Sequence, residues 1–371
     1  MGVKSRAARV WPTPEMSSRS PSTGCSGLPA ALNASSRRPR DVTSRRNVWG
    51  EIRLIASERS VGKSLSCRGE DLPVRALTPE VFDGVDVAMF DVPDDVSLEW
   101  APVAASRGAT VVDNSAAFRM EPDVPLVVPE VNREALRRRP RRVVSSANCT
   151  TTAMIMAIAP LHVEYGLREL VLASYQSVSG AGQIGVDILH DQLSKVAGDR
   201  TLGSRPGNVR QAVGDDLGPF PAPLALNVVP FSGSLVADGW SSEEVKMRNE
   251  SRKILGLPGL KVSATCVRVP VVTGHSIAVH AVFGSELNAE DARAVLRNAP
   301  GVILVDDPAA GEFPMPIDAV GTDPSWVGRI RRAMDDPRAL DLFITGDNLR
   351  KGAALNTVQI AEILAGEFTK P

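Results

Sequence analysis

A chain of 371 residues, 43% apolar and with a formal net charge of −1, is long enough for two cores and carries no bulk charge that would draw nucleic acid or an acidic membrane surface. Its four cysteines, Cys25, Cys67, Cys149 and Cys266, lie far apart with no C-x-x-C pair, which argues against a zinc site or a disulfide framework and for a reducing compartment. No apolar run has the length of a membrane span and the N-terminal region lacks the apolar core of a secretory signal, so a cytoplasmic protein with neither a membrane nor a nucleic-acid partner is expected.

Residues 1–50 are rich in Ser, Arg and Pro, poor in acids, and show no apolar periodicity, as in a disordered tail or a targeting peptide. From Glu51 the pattern becomes regular. EIRLIAS reads as a strand, VFDGVDVAMFDV carries another, LEWAPVAASRG is a helix closed by glycine, and ATVVDNS, PLVVPEVN and RRVVSSAN continue the series. Strands alternating with helices and short turns predict an α/β fold with a parallel, helix-covered sheet. The basic run RRRPRR (137–142) falls at a helix end before a strand and reads as solvated surface.

Beyond Cys149 the strand patterns lengthen: RELVLASYQSVSG, LALNVVPFSGSL, KVSATCVRVPVVTGHSIAVHAVF and GVILVDD, separated by helices such as SSEEVKMRNESRKIL, with a capping pattern at its start, and NAEDARAVLRN. This half reads as α+β with a mixed or antiparallel sheet. The helix GAALNTVQIAEILAG is expected to pack back on the first half.

Cys149 stands where a strand gives way to the helix CTTTAMIMAIAPLH, and a helix N-terminus favours a thiolate. A buried structural cysteine is the alternative. His275, in VRVPVVTGHS, is the one histidine of four in a Gly-flanked turn, and imidazole is the commonest proton acceptor for a thiol nucleophile. Sequence alone does not bring the two together, and a surface loop histidine is the alternative there.

SANCTTTAM, SYQSVSGAG, EEVKMRNESRKIL, CVRVPVVTGHS, DNSAAFRM and DNLRKGAALNTVQIAE, taken together, resemble the bacterial aspartate-semialdehyde dehydrogenases over residues 51 to 371. The resemblance implies a Rossmann-like NADP-binding domain (51–148 with 346–371) and an α+β catalytic and dimerisation domain (149–345), assembled as a homodimer. It implies NADP-dependent, phosphate-requiring interconversion of L-aspartate 4-semialdehyde and 4-phospho-L-aspartate, on the route to lysine, threonine, methionine and diaminopimelate. Carried over residue by residue, Cys149 is the nucleophile that forms a thioester, His275 the acid/base, and Gln176 the group that orients the acyl intermediate. Arg268 holds the substrate α-carboxylate and Glu243 its α-ammonium, while Arg119 and Lys246 bind inorganic phosphate and Asn148 lies beside the nucleophile. Ser57, Arg59 and Ser60 surround the 2′-phosphate of NADP, with Ser179, Gly180, Gly182 and Asn356 near the phosphates and nicotinamide; no metal is implied. Read from the residues alone, Glu243 and Lys246 are first of all a solvent-facing i, i+3 helix pair, and Glu58 beside Arg59 weakens the case for NADP over NAD.

The family begins with an apolar strand that runs into a G-x-x-G-x-x-G turn. Here only Gly24 and Gly27 have that spacing, and the preceding PEMSSRSPS cannot form a buried central strand. A targeting peptide precedes such a strand and does not replace it. The expectation is that residues 1 to about 50 come from a shifted reading frame, with the first strand and glycine loop missing and the neighbouring strands left with unpaired backbone groups. Two further readings follow: a catalytically impaired copy that acts only as a dimer partner, and an N-acetyl-γ-glutamyl-phosphate reductase. Against the second, Glu243 and Arg268 match a free amino acid.

Overall fold

The structure, a computed structural model, describes residues 5–10, 49–67 and 70–368. Eight strands build the first sheet: β1 (Ser5–Val10), β2 (Trp49–Ala56), β3 (Ser64–Cys67), β4 (Glu70–Ala76), β5 (Val87–Phe90), β6 (Thr110–Asp113), β7 (Leu126–Val127) and β8 (Val143–Ser146). Their order is β3-β4-β2-β1-β5-β6-β8-β7, and every pair is parallel except the β3–β4 edge. Strands β6 and β8 are buried along their whole length, as a sheet covered on both faces requires. Helix α1 (Asp94–Ser106) covers one face through Ala101 and Ala104.

The central position of this sheet is filled, which corrects the expectation that the first strand is missing. Residues 5–10 pair in parallel with β2 on one side, Val10 opposite Ile55, and with β5 on the other, Val10 opposite Phe90. The bonds of a parallel ladder are made by the main chain, so a segment with little apolar character satisfies two strands whose N–H and C=O groups are costly to leave unpaired. Gly24, Gly27 and the rest of 11–48 lie outside the described residues.

In the second half follow α2 (Pro129–Asn132), α3 (Cys149–Tyr165), β9 (Leu167–Gln176), α4 (Gln183–Val196), α5 (Asn208–Val213), α6 (Ser242–Leu255), β10 (Lys261–Arg268), β11 (His275–Phe283), α7 (Ala289–Arg297), β12 (Val302–Leu304), α8 (Pro316–Ala319), β13 (Ser325–Arg332), β14 (Ala339–Gly346) and α9 (Leu355–Phe368). The sheet runs β10-β9-β11-β14-β13-β12 and is mixed, as the α+β reading expects. Helix α3, apolar on every side, buries Met154, Ile155, Ile158 and Leu161 in one core with Leu170, Leu172, Ile277, Val279, Leu342 and Ile344 of the sheet. The opposite sheet face leaves Val171 and Tyr175 exposed, Tyr175 beside the Phe343 ring at 6.1 Å. The capping box forms at α6, between Ser241 and Glu244, and α9 packs Ile360, Ala361 and Leu364 against Val87, Val112 and Val144 of the first sheet.

Two strand expectations need correction. LALNVVPFSGSL is no strand; its Pro230 and the left-handed Gly233 leave only two isolated bridges, Val229 with Arg268 and Leu235 with Ser241. The long run from Lys261 is two strands broken between Pro270 and Gly274. Strands β13 and β14 were not anticipated, the exposed Arg329, Arg331 and Arg332 diluting the apolar alternation of the first. Among the described residues no helix is long and apolar enough to cross a membrane.

Candidate active site

Strand ends assemble the site. Gln176 closes β9 and Arg268 closes its parallel neighbour β10, directly opposite one another, while His275 opens the antiparallel β11 beside the end of β14. All three side chains therefore arrive at one end of the second sheet, and β8 delivers Asn148 and Cys149 to the same place. A cleft of about 600 Å³ between the two halves is lined by Cys149, His275, Gln176, Arg268, Glu243, Arg119, Lys246 and Asn148, together with Ser179 and Gly180. All eight residues expected to act on substrate share this one cavity.

Cys149 is the first residue of α3, and the side-chain Oδ1 of Asn148 caps the helix by accepting from the N–H groups of Thr150 (2.9 Å) and Thr151 (3.3 Å). The expected lowering of the thiol pKa is not what the surroundings produce. Burial pushes it up to about 11 and the Glu243 carboxylate adds to this, against the opposing pull of the Thr150 hydroxyl, Arg119 and Arg268. Asn148 has already claimed two N–H groups of the helix end, so burial wins. A Cβ placed on Gly352, within the π-turn Arg350–Ala354, would lie 2.8 Å from Cys149 Cβ. Only glycine lets that turn back the nucleophile so closely.

His275 is 1% exposed, and burial, reinforced by Arg268 and opposed by Glu243, pushes it down to about 3. Its ring is neutral across the working pH range. The main-chain N–H of Ser177 donates to Nδ1 at 3.1 Å, which leaves the ring proton on Nε2. Ser177 Oγ lies 3.0 Å from Nδ1 and donates to Asn348 Oδ1 at 3.0 Å; that oxygen also accepts from the N–H of Gly274 at 2.9 Å. A Cβ on Gly180 would come 3.2 Å from Nε2 and 3.1 Å from Arg268 Nη1, so this glycine keeps both groups open to the cleft.

The charged groups are mutually satisfied. Glu243 accepts from Lys246 Nζ (2.8 Å), Asn148 Nδ2 (3.0 Å) and Gln176 Nε2 (3.3 Å). Burial works to raise its carboxyl, but Lys246 and these hydrogen bonds outweigh it and hold the group ionised, below the usual range. The helix pair is thus an interior feature and no solvated i, i+3 pair. Gln176 also donates to Thr150 Oγ1 at 2.6 Å. Arg268 is fixed by Ser177 O and Ser232 Oγ, both at 2.6 Å, over the Phe220 ring.

The residues expected around the cofactor divide. Ser57 and Arg59 are exposed at the carboxyl end of β2, beside the central strand, where a doubly wound sheet receives an adenosine ribose; a hydroxyl and a cation there fit a 2′-phosphate. Ser60 is buried in the turn that follows, which removes it from that set. Asn356 is also corrected: fully buried, it donates to Val127 O and Ser146 Oγ and accepts from Lys351, with no group left for a ligand. Gly182 caps α4 with φ +82° and lies off the cleft lining. Unforeseen were Ser177, Asn348, Ser232, Gly352 and Glu250. Asn348 and Gly352 lie inside the quoted DNLRKGAALNTVQIAE, and Glu250 is two helical turns beyond Glu243, signals that were in view.

Comparison with known proteins agrees with this geometry. The NAD-binding domain of the semialdehyde dehydrogenases matches residues 44–139, and their dimerisation domain matches residues 158–351. The chain is 46% identical to an aspartate-semialdehyde dehydrogenase of Streptomyces akiyoshiensis over 89% of its length and 94% of that relative's. Against the enzyme of Corynebacterium glutamicum it is 46% identical over 84% of this chain and 91% of that one. Among solved structures, aspartate semialdehyde dehydrogenase II of Vibrio cholerae complexed with ASA superposes with a TM-score of 0.78 at 37% identity, covering 86% of this chain and 91% of that chain. The Candida albicans enzyme with NADP gives a TM-score of 0.65 at 25% identity, covering 88% and 94%.

Proposed function

Since the chain belongs to the aspartate-semialdehyde dehydrogenase family, an enzyme family with a nicotinamide-dinucleotide-binding domain, we propose that it interconverts L-aspartate 4-semialdehyde and 4-phospho-L-aspartate with NADP and inorganic phosphate. The observation that carries this reading is one cleft holding a thiol, a neutral imidazole, the Glu243 carboxylate and three cations, with Asp94 also on its wall. A free amino acid needs one partner of each sign, Glu243 for its ammonium and the planar fork of Arg268 for its carboxylate. The remaining Arg119 and Lys246 suit a phosphate. An N-acetylated substrate has no cation to offer Glu243.

In the oxidative direction the Cys149 sulfur bonds to the aldehyde carbon as the S–H bond breaks and its proton passes to the carbonyl oxygen, which becomes the hydroxyl of a thiohemiacetal. His275, with its proton on Nε2, donates a hydrogen bond to that oxygen as charge develops, and Gln176 orients it. When bound, the nicotinamide would supply hydride-accepting chemistry, and with the hydroxyl proton released to solvent the group left on Cys149 would be an acyl thioester; Ser57 and Arg59 would hold the adenosine end and Gly180 the approach to the reacting carbon. A phosphate oxygen, held by Arg119 and Lys246, then attacks the thioester carbon, the C–S bond breaks, and sulfur leaves with the electron pair. In the biosynthetic direction toward lysine, threonine and methionine these steps run in reverse. We place residues 149–345 as the catalytic and dimerising unit, with the outward face around Val171 and Tyr175 meeting a second copy in a cytoplasmic homodimer.

The test is reduced-nicotinamide formation by the purified chain with aspartate semialdehyde, phosphate and NADP, beside Cys149→Ala. Phosphate-dependent turnover lost in the variant is expected. Turnover that survives the variant, or none from folded wild-type chain, sinks the reading.

A further inference from the structure

Helix α6 presents Glu243, Lys246, Glu250 and Lys253 along one stripe, three or four residues apart. The first two face substrate groups in the reading above; the second two have no role in it. Glu250 is 1% exposed, and each oxygen has a separate partner: Oε1 accepts from Arg119 Nη1 at 3.1 Å and Oε2 from the main-chain N–H of Asn148 at 2.7 Å. These two partners come from different parts of the chain. Arg119 belongs to the loop after β6 and lines the cleft; Asn148 is the cap of the helix that opens with Cys149. Lys253 Nζ holds the same loop from below, donating to the carbonyls of Arg119 (2.6 Å), Glu121 (2.7 Å) and Val124 (2.8 Å). Arg119 Nη2 donates to Asn114 O at 2.7 Å, so the guanidinium is gripped on two sides.

A carboxylate this deeply buried persists only where both oxygens are bonded, and a plain tie between halves could bond to any two groups. Here one end of the tie is the cation and the other the Ala147–Asn148 peptide, one residue before the nucleophile. We propose that Glu250 is a positioning residue that sets the oxyanion-binding guanidinium of Arg119 and the Ala147–Asn148 peptide, and through it the cap residue next to Cys149, in one register, so that an oxyanion held at Arg119 is felt at the Cys149 sulfur. The inference rests on the reading of Arg119 as a phosphate ligand. It assigns no chemistry to Glu250 itself.

The experiment follows alkylation of Cys149 by iodoacetamide, titrated with inorganic phosphate, in wild-type chain and in Glu250→Gln, which keeps the shape and one acceptor but loses the charge. Phosphate is expected to change the wild-type rate saturably, and the midpoint in Glu250→Gln is expected to move about tenfold to weaker binding, since a displaced guanidinium loses its charge-assisted bonds. A structural tie alone would lower the melting temperature and leave that midpoint in place. An unmoved midpoint in folded Glu250→Gln, a tighter one because Arg119 is freed of a counter-charge, or a wild-type rate indifferent to phosphate each overturn the proposal. Should Glu250→Gln not fold, Glu250→Asp, with its charge kept but its reach one methylene short, is read by the same outcomes. Alkylation needs no turnover: a phosphate response that depends on Glu250, in a chain that does not oxidise the semialdehyde, leaves this inference standing while the proposed reaction falls.

Discussion

The wall of the cleft built by the second sheet and the rim at the carboxyl end of β2 solve recognition differently. On the first, Gln176, Glu243, Arg268 and His275 are each fixed by hydrogen bonds to buried or half-buried neighbours. On the second, Ser57 and Arg59 lie exposed in a short turn, and the companion expected there, Ser60, is buried in that same turn. Chemistry at a carbonyl carbon tolerates little displacement, so its groups are pre-set; a phosphate at the far end of a long cofactor is met by surface charge, which binds without fine geometry.

Four measurements press on that contrast. The largest effect is in the thiol itself: with its pKa pushed up to about 11, the thiolate fraction grows tenfold per pH unit below that value. The alkylation rate of substrate-free chain is therefore expected to rise about a thousandfold from pH 7 to 10 without levelling. A plateau near pH 8.5 would mean the helix end, and not burial, governs the sulfur. Next, Gly352→Ala pushes a methyl group against Cys149 and is expected to lower kcat about a hundredfold while costing about 1–3 kcal/mol in a denaturant titration. Arg268→Lys keeps the charge but loses the fork to Ser177 O and Ser232 Oγ, and the KM for semialdehyde is expected to rise about tenfold with a smaller change in kcat. Smallest, Arg59→Ala is expected to raise the KM for NADP only about fivefold, within the range of an exposed ion contact, and Ser60→Ala to leave it unchanged. Equal effects at Arg59 and Arg268 would erase the distinction between the two walls.

Acid stability offers a separate check on the buried imidazole. His275 stays neutral when folded down to about pH 3 but takes up a proton below about 6.5 when unfolded, so its contribution is complete above pH 6.5 and declines as pH falls toward 3. His275→Gln is expected to flatten that part of a stability–pH curve.

Much of the catalytic wall was legible because its residues sit in short motifs at strand ends, where identity and position coincide: Cys149 just after β8, Gln176 the last residue of β9, His275 the first of β11. The cofactor rim was read less well. Nothing in the letters of Asn356 says that Val127 and Ser146 will take both its amide protons, since those partners come from elements far apart in the chain. The same holds for Glu250, whose partners are more than a hundred residues away. Strand β1 escaped for the opposite reason: its place is fixed by two flanking ladders of main-chain bonds, which composition does not announce.

The segment from Asn348 to α9 closes several accounts at once, orienting His275 through Ser177, seating Cys149 against Gly352, pairing Lys351 with Glu130 and covering the first sheet with α9. During synthesis this segment leaves the ribosome long after Cys149 and His275. A nascent or clipped chain therefore holds every reacting atom without the backing that makes them a site, and the thiol becomes competent only once the polypeptide has wrapped around it.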